Sequence, residues 1–345
     1  KKELSDGDWE SKVGRVLYRP YDVRWTVYDP NVAVHRRERV TGQLQAGPNL
    51  ALITTKATKG ESFAHVQASR LAAEAICMSS KTSNNGFVFP LYLYPENSGK
   101  QRKLLIEGEP TGRKPNLSAA FIEELMARLG AEFVADGTGD LVETFGPEDV
   151  FAYIYAVLHT PGYRQRYVEQ LRRDFPHIPL PSDIVFFTEM AQRGHELVAL
   201  HLLDKAPATP KPSFPVRGAG MVVAGHPRYV PPGGPDPEGE STALKEGRIY
   251  ISAGGDGQAQ YFEGVAPEVW EFRVGGYQVC QKWLKDRRKR KLDLGEIKMY
   301  QRMIATIGST IAIMAELDEI APTWPLETAG RQAAAPVAPT DRLSR

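Results

Sequence analysis

Residues 267–291 read PEVWEFRVGGYQVCQKWLKDRRKRK and put strand, turn and helix signals side by side. Pro267 to Val274 is aromatic and strand-like, Gly275-Gly276 marks a turn, and Tyr277 to Leu284 has the pattern of a short amphipathic helix. A block then follows in which seven of the ten residues from 282 to 291 are Lys or Arg, opposed only by Asp286. Clustered cations gain binding free energy by releasing counterions condensed on a nucleic acid, so the block reads as a phosphate-contacting surface. The alternative for any such run is a solvated helix end.

Outward from this stretch, the spacing predicts a mixed α+β fold. On the C-terminal side, Leu294 to Ile320 is a long helix. Its residues Ile297, Tyr300, Ile304, Ile307, Ile311 and Met314 form a coiled-coil-like seam that needs a partner. That partner is either the helix expected from about Ser182 to Leu203 or another domain. The last stretch, 329–345, is rich in Ala and Pro and is expected to be disordered. On the N-terminal side, strand-like runs Gly247 to Ser252 and Gln258 to Val265 flank Ala253-Gly254-Gly255-Asp256-Gly257, a hairpin signal, and complete a C-terminal region at 217–328.

Residues 207–216 are rich in Pro, Lys and Thr and read as a linker. Before them, 147–206 is helical in character. Pro147 suits a first helical position, Glu148 and Asp149 complement the positive helix end, and Phe151, Ile154, Tyr155 and Leu158 make an apolar stripe. Pro161-Gly162 interrupts the pattern, which resumes from Tyr163 to Asp174. The remaining part, 1–146, reads as a mixed-sheet region with strands at Gly14 to Tyr18, Arg24 to Tyr28, Leu50 to Thr55, Phe63 to Ala68 and Gly86 to Tyr94. A polar loop spans Pro95 to Asn116, and an amphipathic helix spans Leu117 to Leu129.

With 43 Lys and Arg against 42 Asp and Glu, net charge is near zero, so nucleic-acid binding would come from a patch and not from overall polarity. No apolar run is long enough to span a bilayer, and a cytoplasmic location is expected. Cys77 and Cys280 have neither disulfide-framework nor metal-ligand spacing and read as buried thiols. The opening Lys1-Lys2-Glu3-Leu4 lacks an initiator Met and a signal segment, which suggests a piece of a longer polypeptide.

Catalytic patterns are missing. There is no phosphate loop ending in Gly-Lys-Ser/Thr, no Gly-x-Ser-x-Gly elbow, and no Asn/Asp-Pro-Pro-aromatic loop for a flipped base. His195-Glu196 and His201 are spaced too widely for an HExxH zinc pair. Glu296-Ile297-Lys298 with Asp236 would mimic a nuclease motif, but in a helix instead of at a strand end. No catalytic or metal-binding residue is therefore assigned, and no cofactor is expected within this stretch of chain.

Several ordered segments carry a resemblance: Tyr18-Arg19-Pro20-Tyr21-Asp22, Ser80-Lys81-Thr82, Phe89-Pro90-Leu91-Tyr92-Leu93-Tyr94, residues 148–159, Pro161-Gly162-Tyr163, residues 174–181, Tyr261-Phe262-Glu263-Gly264-Val265 and residues 270–279. From about position 10 to 320 the chain resembles the C-terminal specificity region of type ISP single-polypeptide restriction-modification enzymes. The resemblance implies a target recognition domain that reads a short double-stranded DNA sequence in phage defence. It also implies an upstream adenine-specific N6 methyltransferase as a partner within the same polypeptide, together with a helicase-like motor and a nuclease. S-adenosylmethionine, ATP and Mg would then be held upstream. Two other readings stay open: a stand-alone DNA methyltransferase or nuclease, and a protein-interaction scaffold whose basic run is incidental.

Base edges are read by paired donors and acceptors, whereas cations and hydroxyls on phosphates position the protein. Two regions fit. The first joins Lys56, Thr58, Lys59 and Ser62 in one loop to Ser79, Lys81, Thr82, Ser83, Asn84 and Asn85 in another. Its alternative is a pair of turns in which Asn84-Asn85-Gly86 supplies left-handed backbone. The second is Arg273, Tyr277, Lys282, Lys285, Arg287, Arg288, Lys289 and Arg290, with Arg287 to Arg290 as a flexible phosphate-binding run. For Tyr277 and Trp283 the alternative is packing in the core, a role aromatic residues fill more often than base stacking. Arg36, Arg37 and Arg39 form a smaller basic group.

Overall fold

The computed structural model describes residues 9–29, 32, 37–95, 112–216, 220–237, 243–252 and 259–324. The tail from 329, the turn 253–257 and Arg36 lie outside them. Val13–Arg19 (β1) and Asp22–Val27 (β2) form an antiparallel hairpin. After Glu38–Gln45 (α1) comes an antiparallel sheet of Ala51–Thr54 (β3), Val66–Ser69 (β4) and Phe87–Pro90 (β5), in the order β4-β3-β5. The strand expected over Gly86 to Tyr94 splits at Leu91. There the Asn49 amide acts as a surrogate peptide, donating to the Tyr92 carbonyl at 2.8 Å and accepting from its N–H at 3.1 Å. Tyr92–Leu93 (β6) then pairs with Lys114–Pro115 (β7), so the end of the expected loop is extended structure.

Ala119–Leu129 (α2) starts at Ser118, whose Oγ accepts from Phe121 N–H, and ends at Gly130 in the left-handed region. Glu132–Phe133 (β8) and Thr144–Phe145 (β9) pair in parallel and lead into Pro147–His159 (α3). The helix expected from Tyr163 to Asp174 is two short ones, Pro161–Arg166 (α4) and Val168–Leu171 (α5), because Tyr167 leaves helical geometry at φ −105°, ψ 22°. Ile184–His201 (α6) is capped by Asp183, which accepts from Phe186 N–H at 2.9 Å. It crosses α3 at Gly194, where a Cβ would overlap the Ala152 carbonyl. Around that crossing Tyr155, Phe145, Phe187, Met190 and Leu197 form one core, to which Leu317 contributes from the far end of the chain.

Arg228–Val230 (β10), Arg248–Tyr250 (β11) and Tyr261–Glu263 (β12) make an antiparallel sheet, so the predicted hairpin forms and gains a third strand. The strand expected from Pro267 is first a helical turn, Pro267–Glu271 (α7), because Pro267 and Glu268 favour a helix start. The extended part shrinks to Arg273–Val274 (β13), paired with Tyr277–Gln278 (β14) and followed by Val279–Lys285 (α8) and Leu294–Ile320 (α9). Phe262, Trp270, Trp283, Tyr300, Ile304 and Ile307 join Leu17, Ile53 and Met78 in a second core. The seam of α9 thus pairs inside this chain. On α6 its Thr310 Oγ meets His201 Nε2 at 3.0 Å, and Arg302 donates to the Leu203 carbonyl.

The Pro-rich stretch 207–216 is a strap rather than a free tether. Thr209 N–H donates to Ser309 Oγ, Gln301 donates to the Pro212 carbonyl, and Ser213 exchanges two backbone bonds with Glu263. Helix α9 opens on a capping box, with Asp293 accepting from Glu296 N–H at 2.8 Å and Glu296 accepting from Asp293 N–H at 3.2 Å. Asp293→Ala is expected to lower stability by about 1 kcal/mol, read from the midpoint of denaturant unfolding without a change in slope.

Candidate nucleic-acid interface

The β3–β4 loop carries Lys56, Lys59 and Ser62, and the loop before β5 carries Lys81, Thr82 and Ser83; all six are exposed. What holds the two loops together is Glu61. Its carboxylate accepts from Ser79 Oγ at 2.9 Å, Asn84 Nδ2 at 2.8 Å and His65 Nε2 at 3.0 Å. Asn84 Oδ1 in turn accepts from Lys59 N–H at 3.0 Å and from Ser83 Oγ. Lys81 Nζ donates to the Gly60 carbonyl at 2.9 Å and stands 3.8 Å from Glu61. Burial acts to raise the Glu61 pKa, but the hydrogen bonds from Asn84 and Ser79 and the His65 contact outweigh it and lower the pKa. Burial lowers that of His65, against the opposing pull of Glu61, so at neutral pH a neutral imidazole donates to an ionised carboxylate.

The β13–β14 turn docks on the same assembly. Gly275 N–H donates to the Ala64 carbonyl at 2.7 Å, Gly276 N–H donates to the Met78 carbonyl at 2.8 Å, and Tyr277 Oη donates to the Ile76 carbonyl at 3.0 Å. A Cβ on Gly276 would overlap the Glu61 carboxylate. Exposed Arg273 therefore flanks the two loops.

Four sequence candidates need correction. Thr58, Ser79 and Asn84 are buried, so their polar groups serve the scaffold and cannot reach a base edge; Thr58 Oγ donates to the Leu171 carbonyl. Tyr277 is buried as well. Asn85 is half-buried, with its Oδ1 buried and without a hydrogen-bond partner. The left-handed turn at Asn84-Asn85-Gly86 does not form either. Thr82–Asn84 is a 3-10 turn, Asn85 follows at φ −58°, and Gly86 fits because a Cβ there would press on Cys77, Ile53 and Met78. Both cysteines are buried free thiols.

The basic block is also no free-hanging run. Arg287, with a side chain only 11% exposed, pairs with Asp22 at 2.8 Å and Glu296 at 3.2 Å and lies 3.5 Å over the Trp283 ring. Arg290 pairs with Glu296, Lys282 with Asp286, and Lys285 donates to Gln281. Arg288 donates to the His226 carbonyl, and residues 288 and 291 bridge to Val222 and Met221. Four opposing carboxylate contacts thus draw on Asp22, Asp286 and Glu296, only one of which lies within the block. Lys285, Arg288, Lys289 and Arg290 still present exposed surface. Contacts run on from this block to the loops. Arg24 lies 3.9 Å from Asp286, Lys282 approaches the Tyr277 ring, and Arg19 lies over both Tyr18 and Tyr277. Of the smaller basic group, Arg37 and Arg39 are exposed at the start of α1, the first just before the helix and the second within its first turn.

The other motifs fall apart in space. His195 pairs with Asp149 at 2.8 Å, while His201 lies between Tyr155 Oη and Thr310. Asp236 binds Arg248, whereas Glu296 binds Arg287 and Arg290. Among the described residues no three His, Cys, Asp or Glu side chains gather as a metal site, and no helix is long and apolar enough to cross a membrane.

A family model of the Type ISP C-terminal specificity domain matches residues 1–316. The chain belongs to that family. No curated protein matches the sequence. Three solved structures share this specificity domain's fold at 14–17% identity: a DrdV–DNA complex (17% identity, TM-score 0.58, 92% of this chain and 29% of that one), the ATP-dependent Type ISP restriction-modification enzyme LlaBIII bound to DNA (14%, 0.57, 90% and 18%), and a nuclease-deletion mutant of the Type ISP enzyme LlaGI with a DNA substrate mimic (16%, 0.52, 92% and 25%). The specificity domain thus spans less than a third of each of those chains.

Sequence reasoning missed Glu61, Asp22 and Arg24. For Glu61 a signal was available: an acid alone among Lys56, Lys59, Ser62 and Thr58, with His65 four residues on. Asp22 lies 265 positions from Arg287, and no local pattern could link them.

Proposed function

We propose that this specificity domain reads a short sequence in double-stranded DNA for a Type ISP restriction-modification enzyme. It would direct an upstream N6-adenine methyltransferase and helicase-nuclease in the same polypeptide. The observation that carries this reading is the three-loop platform, where buried Ser79 and Asn84 and half-buried Glu61 fix the backbone while Lys59, Lys81, Thr82, Ser83 and Arg273 stay exposed at the surface. Hydroxyls on a rigid tip suit base edges, and the flanking cations suit phosphates. Lys285, Arg288, Lys289 and Arg290 extend the cationic border, and Lys56 and Ser62 widen the loop tip. S-adenosylmethionine, ATP and Mg belong to the upstream part in this reading, and the enzyme works in the cytoplasm.

Affinity for a random-sequence duplex, measured from 50 to 300 mM salt, tests it. Each phosphate contact contributes about 0.9 to the slope of log K against log salt, so Lys59→Ala/Lys81→Ala/Arg273→Ala together should flatten the slope by roughly 2 to 3. A wild-type slope near zero would reject DNA binding. Methyl transfer or plasmid nicking by this chain alone would reject the assignment of catalysis to the upstream part.

A further inference from the structure

We propose that Glu61 is the positioning residue for sequence readout: a carboxylate that never touches DNA but sets the spacing of the three reading loops. This rests on the DNA-reading function above and names the group that makes it selective. Glu61 is the one side chain on which the platform converges. It reaches the second loop through Ser79 and Asn84, its own loop through His65, and the β13–β14 turn through the close approach of Gly276. Through Asn84 Oδ1 it also fixes the Lys59 backbone and Ser83 Oγ, so the exposed groups of both loops share one reference point. A carboxylate satisfies this geometry because every partner is a donor. Asn84 Nδ2 and neutral His65 Nε2 share one carboxylate oxygen and Ser79 Oγ uses the other. An amide at position 61, with a single oxygen, either meets Asn84 and His65 with N–H against N–H or turns its N–H onto Ser79 Oγ and leaves that hydroxyl proton without its acceptor.

The charge also carries a cost that separates this role from plain packing. A negative charge, 15% exposed and 3.8 Å from Lys81 Nζ, repels phosphate and weakens attraction to every duplex alike. Removing it should therefore move two affinities in opposite directions. A non-preferred duplex should bind slightly better, and the preferred duplex, which also loses its positioned contacts, should bind worse.

The preferred duplex is first selected from a random pool with the wild-type chain, and a scrambled duplex serves as reference. Failure of the wild type to bind with a steep salt slope, or to select any sequence, would sink the DNA-reading function itself before a variant is compared. Glu61→Gln is expected to bind the scrambled duplex about two- to threefold more tightly and the selected one at least tenfold more weakly. Adding Asn84→Asp exchanges the acid and amide across the same contact. The carboxylate now at position 84 would accept from the amide now at position 61 and still accept from Lys59 N–H, while His65 can shift its proton to the unpartnered Nδ1. The double variant should recover most of the lost selectivity.

Loss on both duplexes in parallel, unchanged selectivity in folded Glu61→Gln, or no recovery in the double variant would each overturn the proposal. Should Glu61→Gln not fold, Ser79→Ala removes a single donor. It is expected to cost about threefold in selectivity, and no change would again count against Glu61.

Discussion

Replacing Arg287 with Ala is expected to lower the unfolding free energy by about 3 to 5 kcal/mol, the range for breaking a buried ion pair from one side. The guanidinium lies between Asp22, whose side chain is 2% exposed, and Glu296, and it stacks on Trp283. Removing it leaves Asp22 buried with only Arg24 at 3.0 Å, so the loss should fall toward the lower figure. Arg290 keeps the Glu296 carboxyl at about 2, against the effect of burial, and that contact survives in the variant. Lys289→Ala, at an exposed neighbour, should change stability by less than about 0.5 kcal/mol. Denaturant unfolding of both variants decides it. A loss below about 1 kcal/mol for Arg287→Ala would mean that the residue is the loose phosphate-seeking group its charge alone suggests.

That contrast marks where the sequence is legible. Local signals fix local structure: Pro147 and Asp183 start helices where expected, and the period of Tyr300, Ile304 and Ile307 finds the buried side of α9. Family-specific segments such as 270–279 were enough to anticipate the specificity-domain assignment that the match over 1–316 establishes. Charge at the level of a run is far less informative, because its meaning depends on where distant carboxylates fold. The block at 287–290 reads as free cation until Asp22 and Glu296 close on it. Polar loops fail for the same reason. Ser79, Asn84 and Ser83 are alike in composition and neighbours in sequence, yet the first two are buried under Glu61 and the third is exposed. Alternation of anchor and tip along a loop obeys no period, so spacing cannot separate them.

Gly275→Ala is the second large effect, and it tests whether the β13–β14 turn belongs to the platform or merely lies near it. Gly275 sits at φ +59°, and an added Cβ would overlap the Met78 carbonyl. Left-handed backbone costs an alanine about 1 to 2 kcal/mol wherever it occurs. To that are added the bonds from Gly275 to Ala64 and from Gly276 to Met78, worth about 0.5 to 1.5 kcal/mol each if the turn must lift away. A total of about 2 to 5 kcal/mol follows from these contributions. Gly130 supplies the control, since it shares the left-handed φ at +64° with nothing within 4 Å of an added Cβ. Gly130→Ala should therefore cost only about 1 kcal/mol, the conformational part alone. If the two variants unfold at the same denaturant concentration, the close approach to Met78 carries no weight. If Gly275→Ala is markedly weaker but keeps its DNA selectivity, the turn stabilises the fold without shaping the reading surface. The joint expectation is a loss of both, because Arg273 and Glu61 are held by the same few ångströms of backbone.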